Sequence, residues 1–311
     1  MDKFVVTNRA LHTDALAGLR APTKHMHPKW FYDSAGSEIF EQITELPEYY
    51  PTRTEISILR HEVGALASYV PEGAALVELG SGASTKTHIL LGALKKLGVY
   101  VPVDVSGEFL LSVAEDIDRD YPSLTVASLV GDFLTDLALP AATDGLPKIA
   151  FFPGSTIGNL APSEARDLLR RIRDWPGIAG FILGVDLVKA PETLIRAYDD
   201  SAGVTAAFNK NLLHRMNREI GADFRVEDFT HEARWNADKS RIEMHLVSRK
   251  AQEVCIGHDR FAFAEGESIH TENSHKYTRE AVESLAAGAG WRVAEFLTDP
   301  DRNFAVTVLV E

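Results

Sequence analysis

A single cysteine, Cys255, stands in 311 residues. No intrachain disulfide can form, and a thiolate metal cluster is not expected. The chain also lacks an apolar stretch long enough to span a bilayer, and its N-terminus carries no long apolar h-region. No membrane partner is expected, and a reducing cytoplasm fits. Basic residues are in deficit: 32 Lys and Arg face 45 Asp and Glu, a net charge of -13, with no dense basic run. Nucleic acid, whose binding rests on basic patches, is therefore not an expected partner. Repeats and low-complexity segments are missing too. What remains is the composition of a soluble globular protein, 45% hydrophobic and 25% charged. Its length allows one large domain plus a second unit. Oligomeric state leaves no trace in the chain, and a monomer is the working expectation.

One further absence falls inside the most informative stretch, Ala75-Leu76-Val77-Glu78-Leu79-Gly80-Ser81-Gly82-Ala83-Ser84. An apolar run ends in an acid, a Gly-x-Gly turn follows, and a helical pattern opens at Ser84. Glycines there permit positive φ and let a ligand approach the backbone closely. A dinucleotide fingerprint needs a third glycine at position 85, which is Thr85. The loop suits an adenosine-type ligand, and S-adenosylmethionine is the first candidate.

Apolar runs alternate with helical periods from 77 to 188. Candidate strands cover 75–79, 99–105, 124–130, 148–152 and 180–186, which predicts a parallel sheet covered on both faces. Residues 291–297 and 304–310 read as two strands joined by a polar turn, an antiparallel hairpin added to that sheet. Thr52-x-x-Glu55 reads as a capping box opening an amphipathic helix through Ile56, Leu59, Val63 and Leu66. A long helix pattern around 204–220 stops at Gly221, and strand-like pieces follow at 231–236, 241–248 and 253–256. The expected fold is α/β: a class I methyltransferase Rossmann-like parallel sheet with a C-terminal antiparallel hairpin, plus a smaller α+β substrate-binding domain. The core is assigned to 61–193 and 287–311. The second domain is assigned to 8–60 and 194–286, above the carboxyl ends of the strands.

Three acids end consecutive candidate strands: Glu78, Asp104 and Asp132. Carboxylates there can accept hydrogen bonds from ribose hydroxyls or an adenine amino group, with Phe133 packing on the ring. Lys86, on the first turn of the next helix, is either a surface ion-pair residue or a contact to a cofactor carboxylate. The loop Phe152-Pro153-Gly154-Ser155-Thr156-Ile157-Gly158-Asn159-Leu160 brings Gly, Ser, Thr and Asn to a strand end. Asn159 offers a donor and an acceptor from one amide. His25-Met26-His27 is the tightest histidine pair, but its spacing does not put two ligands on one helical face and Pro28 follows. It reads as a loop, and no metal is expected.

Several segments together make a specific pattern. They are Lys29-Trp30-Phe31-Tyr32-Asp33-Ser34-Ala35-Gly36-Ser37, Leu46-Pro47-Glu48-Tyr49-Tyr50-Pro51-Thr52-Arg53, Glu78-Leu79-Gly80-Ser81-Gly82, Gly131-Asp132-Phe133, Gly154-Ser155-Thr156-Ile157-Gly158-Asn159, Arg196-Ala197-Tyr198-Asp199-Asp200, Arg241-Ile242-Glu243-Met244 and Thr271-Glu272-Asn273-Ser274-His275-Lys276-Tyr277. In this order the chain resembles the histidine-specific S-adenosylmethionine-dependent methyltransferases of ergothioneine biosynthesis, which make hercynine, the trimethyl betaine of L-histidine. The resemblance implies that Asn159 and Tyr198 bind the substrate carboxylate, and that Asn159 and the Gly154 backbone hold the α-amine. It places Tyr32 and Tyr49 near the amine and imidazole. Glu272 and Ser274 would read the imidazole nitrogens, with Met244 packing nearby. Gly80, Lys86, Asp104, Asp132 and Phe133 would bind S-adenosylmethionine. Read singly, the tyrosines are ordinary half-buried residues, Met244 is a core gap-filler, and Glu272 is a salt-bridge residue on a solvated loop.

The implied reaction is displacement by a neutral amine at a sulfonium methyl, with Tyr32 as the proton relay and Asn159 holding the amine. The rival readings are the same chemistry on tryptophan or an indole relative, a nicotinamide-dependent oxidoreductase, and a binding protein that has kept the fold.

Overall fold

A computed structural model describes residues 6–82 and 85–311. The expected helix start at Ser84 lies outside the described residues. The helices are α1 (Arg9–Arg20), α2 (Ser34–Thr44), α3 (Tyr50–Ala67), α4 (Thr85–Ala93), α5 (Gly107–Asp120), α6 (Pro162–Arg173), α7 (Pro191–Tyr198), α8 (Val204–Ile220) and α9 (Arg279–Gly288). The first six strands are β1 (Ala75–Leu79), β2 (Val99–Asp104), β3 (Thr125–Val126), β4 (Leu129–Val130), β5 (Lys148–Phe152) and β6 (Ile178–Asp186). Then come β7 (Phe229–Asn236), β8 (Arg241–Ser248), β9 (Gln252–Ile256), β10 (Asp259–Phe263), β11 (Ser268–His275), β12 (Arg292–Thr298) and β13 (Phe304–Val310).

Two compact units result. The first takes the chain up to Tyr49 and Ala190–Ser274; the second takes Tyr50–Lys189 and His275–Glu311. The domain limits assigned from sequence, at 60/61, 193/194 and 286/287, would cut α3, α7 and α9. The compact units leave each of these helices whole.

The second unit is built on a sheet in the order β12-β13-β6-β5-β1-β2-β3, with β4 also paired to β2. Strands β1 to β6 run parallel, and β13 lies antiparallel to both β6 and β12. Side chains alternate between the two faces with period two. Ala75, Val77 and Leu79 join Val101, Val103, Ala150 and Phe152 in one core, which α6 and α9 complete with Leu168, Leu169, Val282 and Ala286. Leu76, Tyr100, Ile149 and Phe151 join the opposite core, with Ile58 and Leu59 of α3 and Leu90 of α4. Fully burying each such side chain stabilises the fold by roughly 1.5–3 kcal/mol. This two-sided burial explains why the strands read as continuous apolar runs.

The expected strand 124–130 is interrupted. β3 and β4 pair separately with β2, and between them the Ala127 N–H donates to Tyr100 O. The expected capping box is also replaced. α3 already begins at Tyr50, with Pro51 in its first turn, where a missing N–H costs nothing. Thr52 is therefore inside the helix, and Glu55 is released for another task.

In the first unit a sheet of order β11-β8-β7 carries α8, and α1 and α2 pack on α8. Gly221 ends α8 in the left-handed conformation, as its sequence position suggests. Asp200 accepts from the N–H groups of Val204 and Thr205 at 3.0 and 2.7 Å and so caps the helix start. Asp33 caps α2 by accepting from Gly36 N at 2.7 Å, and also accepts from Asn211 of α8 at 2.8 Å. A side chain at Gly36 would meet Phe31 O at 1.8 Å, so only glycine fits there.

Candidate active site

In the second unit the chain leaves β1 towards β2 on one side and returns through β5 on the other. The carboxyl ends of β1 and β5 are therefore the switch point where open α/β sheets bind ligands. The loop after β1 carries Gly80 at φ +66 and Gly82 at φ +23, a backbone region that favours glycine. Gly80 N donates to Val103 O at 2.8 Å, which ties the turn to β2. A Cβ on Gly80 would lie 3.9 Å from the Phe133 ring, so this ring borders the turn. Phe133 packs edge-on to Phe152 with centroids 5.1 Å apart. Beside it lies a cleft of about 250 Å³, lined by Leu79, Phe133, Leu137, Leu168, Arg171 and Trp175.

The three acids at strand ends divide. Glu78 is buried and accepts from Thr87 Oγ1 and Tyr100 OH, both at 2.7 Å. Burial raises its carboxyl to about 7, against those two bonds and the nearby Lys86. It is a buried post under the turn rather than a ribose ligand. Asp104 accepts from Ser106 N at 2.9 Å; burial raises its pKa, opposed by backbone N–H groups of Ser106, Val105 and Gly82. Asp132 accepts from Leu134 N at 2.9 Å.

Lys86 is not a surface residue. Its Nζ lies 2.6 Å from Glu55 Oε2, and the Glu55 side chain is wholly buried. Both Glu55 oxygens also accept from Gly154 N, at 3.1 and 2.9 Å. A Cβ on Gly184 would come within 2.1 Å of Glu55 Oε1, so the glycine of β6 makes room for this carboxylate. Beyond Gly154 the loop turns through Ser155, also left-handed at φ 57, into a short 3-10 turn ending at Asn159. Ser155 Oγ accepts from Asp186 N at 2.9 Å, and Gly158 O is 2.9 Å from His275 Nδ1. A side chain at Gly158 would strike His275 O at 2.8 Å. The loop bearing Asn159 is thus fixed from three directions.

Asp186, at the end of β6, anchors a buried ion cluster. It accepts from Tyr50 OH at 2.8 Å, Lys276 Nζ at 2.7 Å and Lys189 Nζ at 2.5 Å. Burial brings Lys189 down to about 8 despite Asp186. Tyr50, to which the motifs assign no role, is a hydrogen-bonding member of this cluster.

The first unit holds the other half of the candidate residues. Tyr198 OH and Ser274 Oγ are 2.7 Å apart. The Tyr198 ring meets Tyr49 edge-on at 6.1 Å, Tyr49 meets Phe40 at 6.3 Å, and Phe40 meets Tyr32 at 5.7 Å. Phe40, which no motif picks out, thus links the expected tyrosines. Glu272 and Ser274 are buried on β11, and Met244 is buried on the neighbouring β8. Thr271 Oγ1 donates to Met244 O at 3.1 Å and couples the two strands.

His231 is a further residue that sequence reasoning missed. Its Nε2 lies 2.7 Å from Tyr198 O and its Nδ1 2.8 Å from Asn209 Nδ2. Burial lowers its pKa, so the ring is neutral, donating from Nε2 and accepting at Nδ1. Glu243, His245 and His270 also bring ligand-type atoms within 4.8 Å of one another. Arg241 and Asn236 already occupy Glu243 Oε1, at 2.6 and 2.9 Å, so a cation would compete with fixed donors.

A sheet of this order, with a glycine turn and acids at its switch point, is that of the class I S-adenosylmethionine-dependent methyltransferases. A family model described as histidine-specific methyltransferase, SAM-dependent, matches residues 11–311, and the chain belongs to that family. Its relatives include the histidine N-alpha-methyltransferase of Mycolicibacterium smegmatis, 44% identical over 97% of this chain and 95% of that one. The histidine N-alpha-methyltransferase of Mycobacterium tuberculosis is 42% identical over 96% and 94%. Ergothioneine biosynthesis protein 1 of Neurospora crassa is 31% identical over 83% of this chain and 30% of its own length. The cofactor is S-adenosylmethionine, and the groups at the switch point suit it. Gly80 and Gly82 carry no Cβ over the backbone, an aromatic ring borders the turn, and a half-buried ammonium stands on the next helix.

Proposed function

We propose that the protein transfers three methyl groups from S-adenosylmethionine to the α-amino nitrogen of L-histidine, giving hercynine for ergothioneine biosynthesis. The observation that carries this reading is the buried set of Glu272, Ser274 and Tyr198 in the first unit, with Ser274 and Tyr198 in hydrogen-bond contact. An imidazole has two polar nitrogens, and a carboxylate with a hydroxyl matches both. A site of this kind rejects substrates that leave its buried polar groups unpaired. Identity of 44% and 42% to enzymes named for histidine supports the same reading.

Bound S-adenosylmethionine supplies a methyl group on a positively charged sulfur. The chain's own residues do the rest. Gly80, Asp104, Asp132 and Phe133 hold the nucleoside, and Lys86 takes the carboxylate of its amino-acid end. Asn159 and Tyr198 bind the histidine carboxylate, while Asn159 and the Gly154 backbone hold the amine. Tyr49 and Met244 border the side chain. The amine must be neutral to attack, and α-amino groups titrate near pKa ~8. Tyr32 relays the proton. Close, in-line placement supplies much of the rate. The growing ammonium keeps water, carbonyl and ring contacts as N–H groups are lost.

Among the described residues no helix is long and apolar enough to cross a membrane. The enzyme works on a small molecule, and we place it in the cytoplasm as a monomer, which light scattering tests. Steady-state methyl transfer to histidine, phenylalanine and tryptophan tests the specificity. Histidine should lead in kcat/KM by about 10⁴. A preference for tryptophan would overturn it.

A further inference from the structure

Glu55, which the sequence pattern reads only as half of a capping box, joins Lys86 of α4 to the loop after β5. We infer that it is a positioning residue for the amino-acid end of the cofactor, acting through Lys86. This inference rests on the reading that Lys86 receives the cofactor carboxylate.

Three observations carry it. First, Glu55 is wholly buried, and its ion pair with Lys86 at 2.6 Å is short, while the Lys86 side chain keeps 16% exposure. Among the described residues, Glu55 is the ion-pair partner that holds the ammonium from the protein side. Its remaining donors stay available to a carboxylate arriving from the accessible side. Second, the same carboxylate accepts the Gly154 N–H with both oxygens, while Pro153 O accepts from Thr156 Oγ1 at 3.1 Å. Both ends of the Pro153–Gly154 peptide are fixed, and Gly154 takes φ +77 beyond it. A Cβ on Gly154 would lie 3.5 Å from Lys86 Nζ, so the lysine and the loop are neighbours around one carboxylate. Third, the fold keeps space for this acid: Gly184 of β6 has no side chain where Glu55 Oε1 sits.

A buried carboxylate is costly unless it is paired and hydrogen-bonded, and Glu55 is both. The pair is neutral as a whole, as is the zwitterionic amino-acid end of the cofactor. Without its buried counter-ion the Lys86 ammonium turns to water, and its donors leave the place where a carboxylate needs them.

The test uses two ligands that share the nucleoside and thioether. S-adenosylhomocysteine carries the amino-acid end, and 5′-methylthioadenosine lacks it. Calorimetric affinities are measured for the full-length protein, Glu55→Gln and Lys86→Met. Glu55→Gln keeps an acceptor for Gly154 and loses only the charge. It should weaken S-adenosylhomocysteine roughly tenfold, the worth of a charge-assisted bond, and leave 5′-methylthioadenosine within about twofold of wild type. An equal loss for both ligands, or a loss for neither, overturns the inference. Lys86→Met separates it from its premise: if this variant shows no selective loss of S-adenosylhomocysteine, the Lys86 assignment itself is wrong. Glu55→Leu removes the Gly154 acceptor as well. It should raise the histidine KM about tenfold, which Glu55→Gln does not; an unchanged KM there overturns the Gly154 part. Where the leucine variant fails to fold, the two ligand affinities of Glu55→Gln decide the inference, and a histidine KM raised in Glu55→Gln as well would overturn the Gly154 part.

Discussion

In the proposed reading, substrate choice turns on Glu272, which is buried on β11. Truncating it leaves the imidazole without a charged acceptor, so Glu272→Ala should lower kcat/KM for histidine by about 10–100-fold, the range for a lost hydrogen bond to a charged group. Steady-state kinetics checks this, and an unchanged value would remove Glu272 from the site. The candidate tyrosines are prominent in the sequence because they sit in motifs, and Tyr198 meets Ser274. His231 and Glu55 are not legible there. Each acts through a backbone group far along the chain, Tyr198 O and Gly154 N, and no local spacing encodes such a partner. Glu55 is further disguised, because Thr52-x-x-Glu55 imitates a capping box. Glu78 misleads in the other direction: its place at a strand end suggests a ligand contact, but its neighbours Thr87 and Tyr100 claim it.

At the scale of elements, the loop between β5 and α6 and the hydrogen-bonded face of the small sheet govern behaviour. Gly158→Ala would push a methyl against His275 O and shift Asn159. A displacement of this kind can cost roughly 100-fold in rate. The variant should lose about that much kcat/KM while binding S-adenosylhomocysteine as before; equal activity would show that the loop tolerates the change. In the first unit, burial takes His245 down to about 4, aided by the His270 charge. Its unfolded value is ~6.5. The unfolded chain therefore binds more protons below that pH, and stability falls as pH drops from about 6.5 towards 4. The loss is on the order of 3 kcal/mol. Urea unfolding at pH 7.5 and 5 should show about 2 kcal/mol of it, and His245→Phe should remove that part of the dependence. The strand–helix alternation was readable because both sheet faces are covered. The break between β3 and β4 was not, since the apolar pattern runs on through the interruption.

Over the whole molecule, the chain crosses between its compact units after Tyr49, Lys189 and Ser274. Tyr50, Lys189 and Lys276 lie next to these crossings, and all three bond to Asp186. Removing the charge of Asp186 takes a carboxylate partner from the buried Lys276 and the half-buried Lys189. Asp186→Asn should cost about 3–5 kcal/mol, the range for breaking a buried pair from one side. Urea denaturation reads it, and a loss below about 1 kcal/mol would deny the cluster its structural weight. The sequence disclosed two units and a hairpin-ended sheet. It could not disclose where the units divide, because the limits follow whole helices rather than any change in composition. The central claim is that this fold trimethylates histidine. Incubation with S-adenosylmethionine and a mixture of amino acids, followed by mass spectrometry to full conversion, tests it most directly. The account predicts three added methyl groups on histidine, as hercynine. Methylation confined to another amino acid, or a histidine product that stops at one methyl group, would contradict it.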